Sequence, residues 1–159
     1  MHNKGLRKKS LIKSISALYR YSQSYISKRV SPYNIGQGQW HFLTQVLFNE
    51  DGITQEELSE RLFIDKANTA RAVKKLEQEG YIERREDPED KRKKRVYVTQ
   101  KSRDFENEFH QVFKDFNNIL AKGFTAEERE TARELLYRML DNIIQYKEEN
   151  TGIKEKTAK

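Results

Sequence analysis

Cations carry the chemistry that this sequence offers. From Lys66 to Lys75 the residues Lys66, Asn68, Arg71, Lys74 and Lys75, with Ala67 and Ala70 between them, fall on one side of a helix, and no acid interrupts them before Glu77. A solvated helix face ordinarily mixes signs, so this one suits an anionic partner. The Arg71 fork matches guanine O6 and N7, the Asn68 amide matches adenine N6 and N7, and Lys74 and Lys75, a turn further on, suit phosphates. A second constellation is the stretch DPEDKRKKRVYVT from Asp87 to Thr99, in which five consecutive cations, Lys91 to Arg95, lie between a turn signal and a β-branched run. Like charges so close repel one another, and phosphates relieve that repulsion while condensed counterions are released. In an extended strand the block would divide, with Arg92 and Lys94 on one side and Lys91, Lys93 and Arg95 on the other. Asp90 is an acid in the wrong place for a phosphate, and its expected task is to orient Arg92 through a charge-assisted pair.

The rest of the composition narrows the function class. The chain has 159 residues, 35% apolar and 35% charged, with a net charge of +6. That balance is hydrophilic for a compact monomer and fits helices whose core is completed by a second copy. Without cysteine there is no disulfide, thiolate zinc site or thiol switch. No apolar run approaches the ~20 residues that span a bilayer, and the N-terminus lacks an apolar signal region, so the expectation is a soluble cytoplasmic protein with no membrane partner. There is no HExxH, no nucleophile elbow, and Gly36-Gln-Gly38 lacks the strand and third glycine of a phosphate loop. The sequence therefore reads as no enzyme, with no cofactor. His41 with His110 and Glu106 would make only a thin zinc set, and no metal is expected.

The elements that must position the cations are legible from period and punctuation. Leu11, Ile15, Leu18, Tyr19 and Ile26 form one helical face, ended by Ser31-Pro32. A second helix, roughly 37–49, carries Trp40, Leu43, Val46 and Leu47 and stops at Asp51-Gly52. Thr54 and Glu57 form a capping box, with Ile53 and Leu58 as its hydrophobic staple. That short helix ends near Leu62, and Asp65 caps a longer one from Lys66 to Glu79, which Gly80 terminates. Two helices across so short a turn make a helix-turn-helix. Residues 81–84 and 95–98 then read as two strands around a Pro88 turn, which makes a basic hairpin wing. Two long helices follow. One carries Phe105, Phe109, Val112, Phe113, Phe116, Ile119 and Leu120. The other opens at a second capping box, Thr125 with Glu128, and repeats Ala132, Leu135, Leu136, Met139, Leu140, Ile143 and Ile144.

Gln39-Trp40, Gly52-Ile-Thr-Gln-Glu-Glu-Leu58, Thr69-Ala-Arg-Ala-Val73 with Leu76-Glu77, Gly80 and Asp87-Pro-Glu-Asp-Lys-Arg92 resemble the MarR family of bacterial and archaeal transcription regulators. The resemblance covers about residues 10 to 148. Asp90 and Arg92 match the family's Asp-x-Arg wing signature, and Ser102 stands where the family usually has glycine. The fold expected is mainly α with a small β-hairpin wing, a winged helix-turn-helix over residues 35–99. Residues 1–34 and 100–148 would form a helical dimerisation region, and 149–159 a flexible tail. The resemblance implies a homodimer whose N- and C-terminal helices interlace, here through Leu11, Ile15, Leu18, Leu135, Leu136, Met139, Leu140, Ile143 and Ile144. The expected DNA contacts are Thr54, Gln55, Lys66, Ala67, Asn68, Ala70, Arg71, Lys74, Lys75, Asp90, Lys91, Arg92, Lys93 and Lys94, on a pseudo-palindromic operator. Relatives that bind small aromatic acids suggest an effector site here at Tyr19, Arg20, Tyr33, His41 and Phe42. The function expected is a double-stranded DNA-binding repressor. The alternative is a winged-helix module for RNA or a protein partner, though RNA would favour exposed stacking aromatics over this Arg, Lys and Asn face.

Overall fold

Each apolar stripe becomes a helix, and the punctuation residues set where most of them stop. The computed structural model describes residues 10–156, and the side chains of residues 10–150. Helix α1 (Leu11–Val30) leads into a single 3-10 turn at Ser31–Tyr33, with Pro32 where its missing N–H costs nothing. Helix α2 (Trp40–Phe48) begins later than the expected 37, because Gly36 and Gln39 close a turn first: the Gln39 side chain accepts from the Gly36 N–H at 2.8 Å. Strand β1 (Ile53–Thr54), α3 (Gln55–Arg61), α4 (Lys66–Gln78), β2 (Ile82–Glu86) and β3 (Lys94–Val98) complete the winged helix-turn-helix. After them come α5 (Gln100–Asp104), α6 (Glu106–Leu120) and α7 (Ala126–Lys156).

Three expectations change here. The sheet has three strands, ordered β1-β3-β2 and antiparallel throughout, because Ile53 and Thr54 pair with Val96 and Arg95. The first strand is too short to show a period of its own. Gly52 makes it possible: its φ is +90°, and a Cβ there would lie 2.8 Å from the Tyr97 ring. The expected long helix after the wing is also divided. Phe105 caps α5 with its N–H on the Ser102 and Arg103 carbonyls before α6 starts. The helical backbone of α7 continues past the expected boundary at 148 to Lys156, and residues 157–159 lie outside the described residues.

The chain divides into two compact units, the first reaching Phe116 and the second starting at Asn117. The core of the first is continuous. Leu43, Val46, Ile53, Leu58, Val73, Leu76, Tyr81 and Val96 are almost fully buried, and Ile26, Val30 and Phe109 join the same cluster. Each such aliphatic side chain contributes about 1.5–3 kcal/mol by leaving water. The turn between α3 and α4 is fixed by polar groups. Ser59 Oγ donates to the Ile64 carbonyl at 2.6 Å and lies 3.0 Å from the buried Thr69 hydroxyl, which donates to the Asp65 carbonyl at 3.0 Å. Ser102, in the position of the family's usual glycine, is fully buried and its hydroxyl donates to the Tyr81 carbonyl, so this side chain is satisfied.

Candidate nucleic-acid interface

Helix α4 has the two faces its sequence implies. Thr69, Ala72, Val73 and Leu76 are buried, while Lys66, Ala67, Asn68, Arg71, Lys74 and Lys75 are exposed and Ala70 is half-buried. Asp65 does more than cap. Its Oδ1 accepts from the Asn68 N–H at 2.9 Å, and its Oδ2 accepts from the Asn68 side-chain amide. These donors, the backbone N–H first, hold the Asp65 carboxyl below its ordinary range. Asn68 Oδ1 in turn accepts from Arg71 Nη2. A chain from cap to amide to guanidinium therefore orients Arg71 outward before any partner arrives. Lys66 is ion-paired across the helix-turn-helix with Glu56, whereas Lys74 and Lys75 make no ion pair among the described residues.

The wing is built around one buried acid. Asp87 Oδ1 accepts from the N–H of Glu89 at 2.7 Å and of Asp90 at 3.0 Å, while Oδ2 accepts from Arg95 Nε at 2.6 Å. Arg95 Nη1 also donates to the Gly52 carbonyl at 2.9 Å, which ties the wing to β1. These contacts, the two N–H groups foremost, lower the Asp87 pKa. Arg95 thus turns inward and leaves the cation block. The expected alternation from Lys91 onward fails for a physical reason. Lys91, Arg92 and Lys93 form the tip turn, closed by the Lys93 N–H on the Asp90 carbonyl at 2.8 Å, and the strand starts only at Lys94. Asp90 takes the role expected of it: Arg92 Nε and Nη2 donate to its two carboxylate oxygens at 3.1 and 3.3 Å. Lys94 pairs with Glu86, its cross-strand partner. Lys66, Arg92, Lys93 and Lys94 line one cleft together with Thr54, Gln55 and Glu56. The Gln55 Oε1 there is buried without a hydrogen-bond partner among the described residues.

The residues expected around an effector do not all meet. Tyr19 and Arg20 line an open recess with Gln23, Gln37 and Gly38. His41 reaches this region only through buried Gln23, whose amide nitrogen lies 2.7 Å from Tyr19 Oη and 2.6 Å from His41 Nε2. The Trp40 indole N–H can only donate, and its 3.0 Å bond to Gln23 Oε1 fixes the amide orientation. His41 must then accept at Nε2 in its neutral form, and desolvation lowers its pKa to about 4. Phe42 is core, and Tyr33 packs edge-on against Phe105 at 4.6 Å with its carbonyl accepting from Tyr81 Oη. Neither lines the recess. His110 packs against Phe48, and no group of three His, Asp or Glu side chains with metal-site spacing occurs among the described residues. Leu11, Ile15, Leu18, Leu135, Leu136, Leu140 and Ile143 are exposed, with Met139 and Ile144 half-buried.

A MarR-family model matches residues 33–93, the stretch that holds α2 to the wing tip. The chain is 30% identical over 128 residues to the HTH-type transcriptional regulator BilQ of Clostridioides difficile, covering 80% of this chain and 86% of that one. It also resembles the HTH-type regulator YybA of Bacillus subtilis, at 29% over 133 residues, with 84% and 88% covered. Among solved structures, a MarR transcriptional regulator of Methanosarcina mazei Go1 superimposes with a TM-score of 0.80 at 42% identity, covering 84% of this chain and 96% of that one. The chain belongs to the MarR family. Another MarR-family structure, from Listeria monocytogenes in complex with a 26-mer DNA, matches with a TM-score of 0.81 at 27% identity, with 85% and 89% covered. As a MarR-family member this protein is a DNA-binding transcription regulator with a winged-helix fold, and not an enzyme. No helix among the described residues is long and apolar enough to cross a membrane.

Proposed function

We propose that this MarR-family regulator is a cytoplasmic homodimeric repressor of a pseudo-palindromic promoter operator. Helix α4 enters the major groove and the wing tip lies at the minor groove. One observation carries the reading: the exposed start of α4 and the cations Arg92, Lys93 and Lys94 line a single cleft within one compact unit. A helix and a basic loop sharing a cleft suit a duplex, whose groove and flanking phosphates lie side by side. Arg71 reads guanine. Asn68 holds Arg71 or, by releasing it, reads adenine. Lys74, Lys75, Lys91 and Lys93 meet phosphates, and Thr54 and Gln55 flank them.

The apolar residues that the chain leaves in water support the dimer. Leu136 is 57% exposed and Leu11 67%, at helical spacing with Leu140, Ile143, Ile15 and Leu18. Such a stripe on α1 and another on α7 are each a cost for a monomer and an interface for a second copy. Two-fold symmetry then sets the recognition helices roughly 34 Å apart on successive major grooves. An aromatic acid at the Tyr19 and Arg20 recess would release the operator by altering that spacing. The test is a titration of a promoter duplex, with the complex mass measured alongside. Binding of one dimer per duplex, weakened by an aromatic acid only while Arg20 is present, supports the whole reading. A monomer that binds single-stranded RNA more tightly than duplex DNA overturns it.

A further inference from the structure

Among the described residues, Glu56 is the one acid lining the cleft that Lys66, Arg92, Lys93 and Lys94 surround. Its carboxylate pairs with Lys66, the first residue of α4, and both side chains stay open to solvent, 47% and 74% exposed. An ion pair so exposed contributes little to stability, and neither partner fills space in the core. The fold therefore does not require it. Lys66 and, at longer range, Lys93 hold the Glu56 carboxyl below its ordinary range, so it keeps its charge down through mildly acidic pH.

A carboxylate in that position opposes phosphate twice. It occupies Lys66, and when a phosphate takes Lys66 away it remains beside that phosphate as an uncompensated negative charge. A lysine neutralised by its own neighbour also has less to gain from counterion release than a free one. These effects act on the backbone alone, and no base edge enters them. We propose that Glu56 is a built-in electrostatic brake: it competes with DNA phosphate for Lys66 and so sets the strength and salt dependence of binding without choosing the sequence. The inference rests on the assignment of this cleft to the DNA face. Nothing in the sequence announces it, since ten residues and a turn separate the two charges.

The experiment measures binding of a random-sequence duplex across a salt series for the full-length parent, Glu56→Gln, Lys66→Gln and the double variant. Glu56→Gln, nearly isosteric, should bind roughly three- to tenfold tighter at physiological salt, with the slope of log affinity on log salt steeper by about one. Lys66→Gln should bind more weakly than the parent, because it exposes Glu56. The double variant should return close to the parent. Thermal midpoints near the parental value would show that the variants fold alike. A Glu56→Gln protein with unchanged or weaker affinity overturns the brake. Lys93→Ala separates the two ways of failing. If it flattens the slope while Glu56→Gln does not steepen it, only the brake is lost. If neither moves the slope, the DNA face itself is misassigned and the brake falls with it.

Discussion

Arg71 leaves the middle of α4 already held by Asn68, which Asp65 holds in turn. A side chain ordered before binding loses less entropy on reading a base. Arg71→Ala should therefore relax preference at one position per half-site, worth about 1–3 kcal/mol of discrimination, as measured by competition between operator variants. Arg71→Lys should relax it too, because a point charge cannot fork. His41 carries a different prediction. In the fold it takes up a proton only near pH 4, whereas the unfolded imidazole does so near 6.5. Between those values the unfolded state binds more protons, so stability is full above about pH 6.5 and declines as pH falls toward 4. The decline amounts to at most about 3 kcal/mol per subunit. Urea midpoints from pH 7 to 5 should show that slope in the parent and lose it in His41→Gln. The outward residues of α4 were legible from periodicity. Their hydrogen-bond partners were not, because rotamers that join Asp65 to Asn68 to Arg71 leave no trace in spacing alone. Gln23 was missed for a similar reason: a polar residue among the mixed residues of α1 gives no sign that it is buried against Trp40 and His41.

At the scale of elements, caps and glycines were the readable signals. The Thr54 and Glu57 capping box is present with both of its bonds, and so is the N-cap at Asp65. Strand β1 was not legible because two residues cannot display a period of two, and because its pairing partner, β3, lies far along the chain. The wing tip departs from the expected strand for the converse reason. A run of cations gives no hint that backbone bonds from Asp87 and Asp90 curl it into a turn. The wing also makes a prediction. Asp87 ties two tip N–H groups and Arg95 together, so Asp87→Asn should loosen residues 87–95. Hydrogen exchange there should speed up more than in α4, and the affinity for every duplex should fall alike. The Asp87 carboxyl is held below its ordinary value, so its contribution is present above the unfolded pKa of 3.8. That contribution disappears as pH falls through the lower folded value. A wing whose exchange is unchanged in Asp87→Asn would mean that the sheet alone holds it.

At the scale of the molecule, the charges explain how a free protein tolerates its cation block. Arg92 leans on Asp90, Lys94 on Glu86 and Arg95 on Asp87, so much of the repulsion is met internally. Lys74, Lys75, Lys91 and Lys93 have no such partner among the described residues and should dominate the salt dependence, about 0.9 in slope for each phosphate met. The apolar stripe of α7 belongs to the same scale. Leu136→Glu with Leu140→Glu should shift the mass in solution from dimer to monomer and abolish tight operator binding, while each winged helix stays folded. In the function proposed, α4 and the wing together read a two-fold symmetric duplex. Selection of bound duplexes from a random pool at physiological salt, with the parent and Arg71→Ala in parallel, tests it most directly. The parent should recover a pseudo-palindrome with half-sites about one helical turn apart. Arg71→Ala should recover the same arrangement with one position per half-site degenerate. No enrichment by a folded dimer, or a motif that Arg71→Ala leaves intact, would mean that α4 and the wing do not read the duplex in this way.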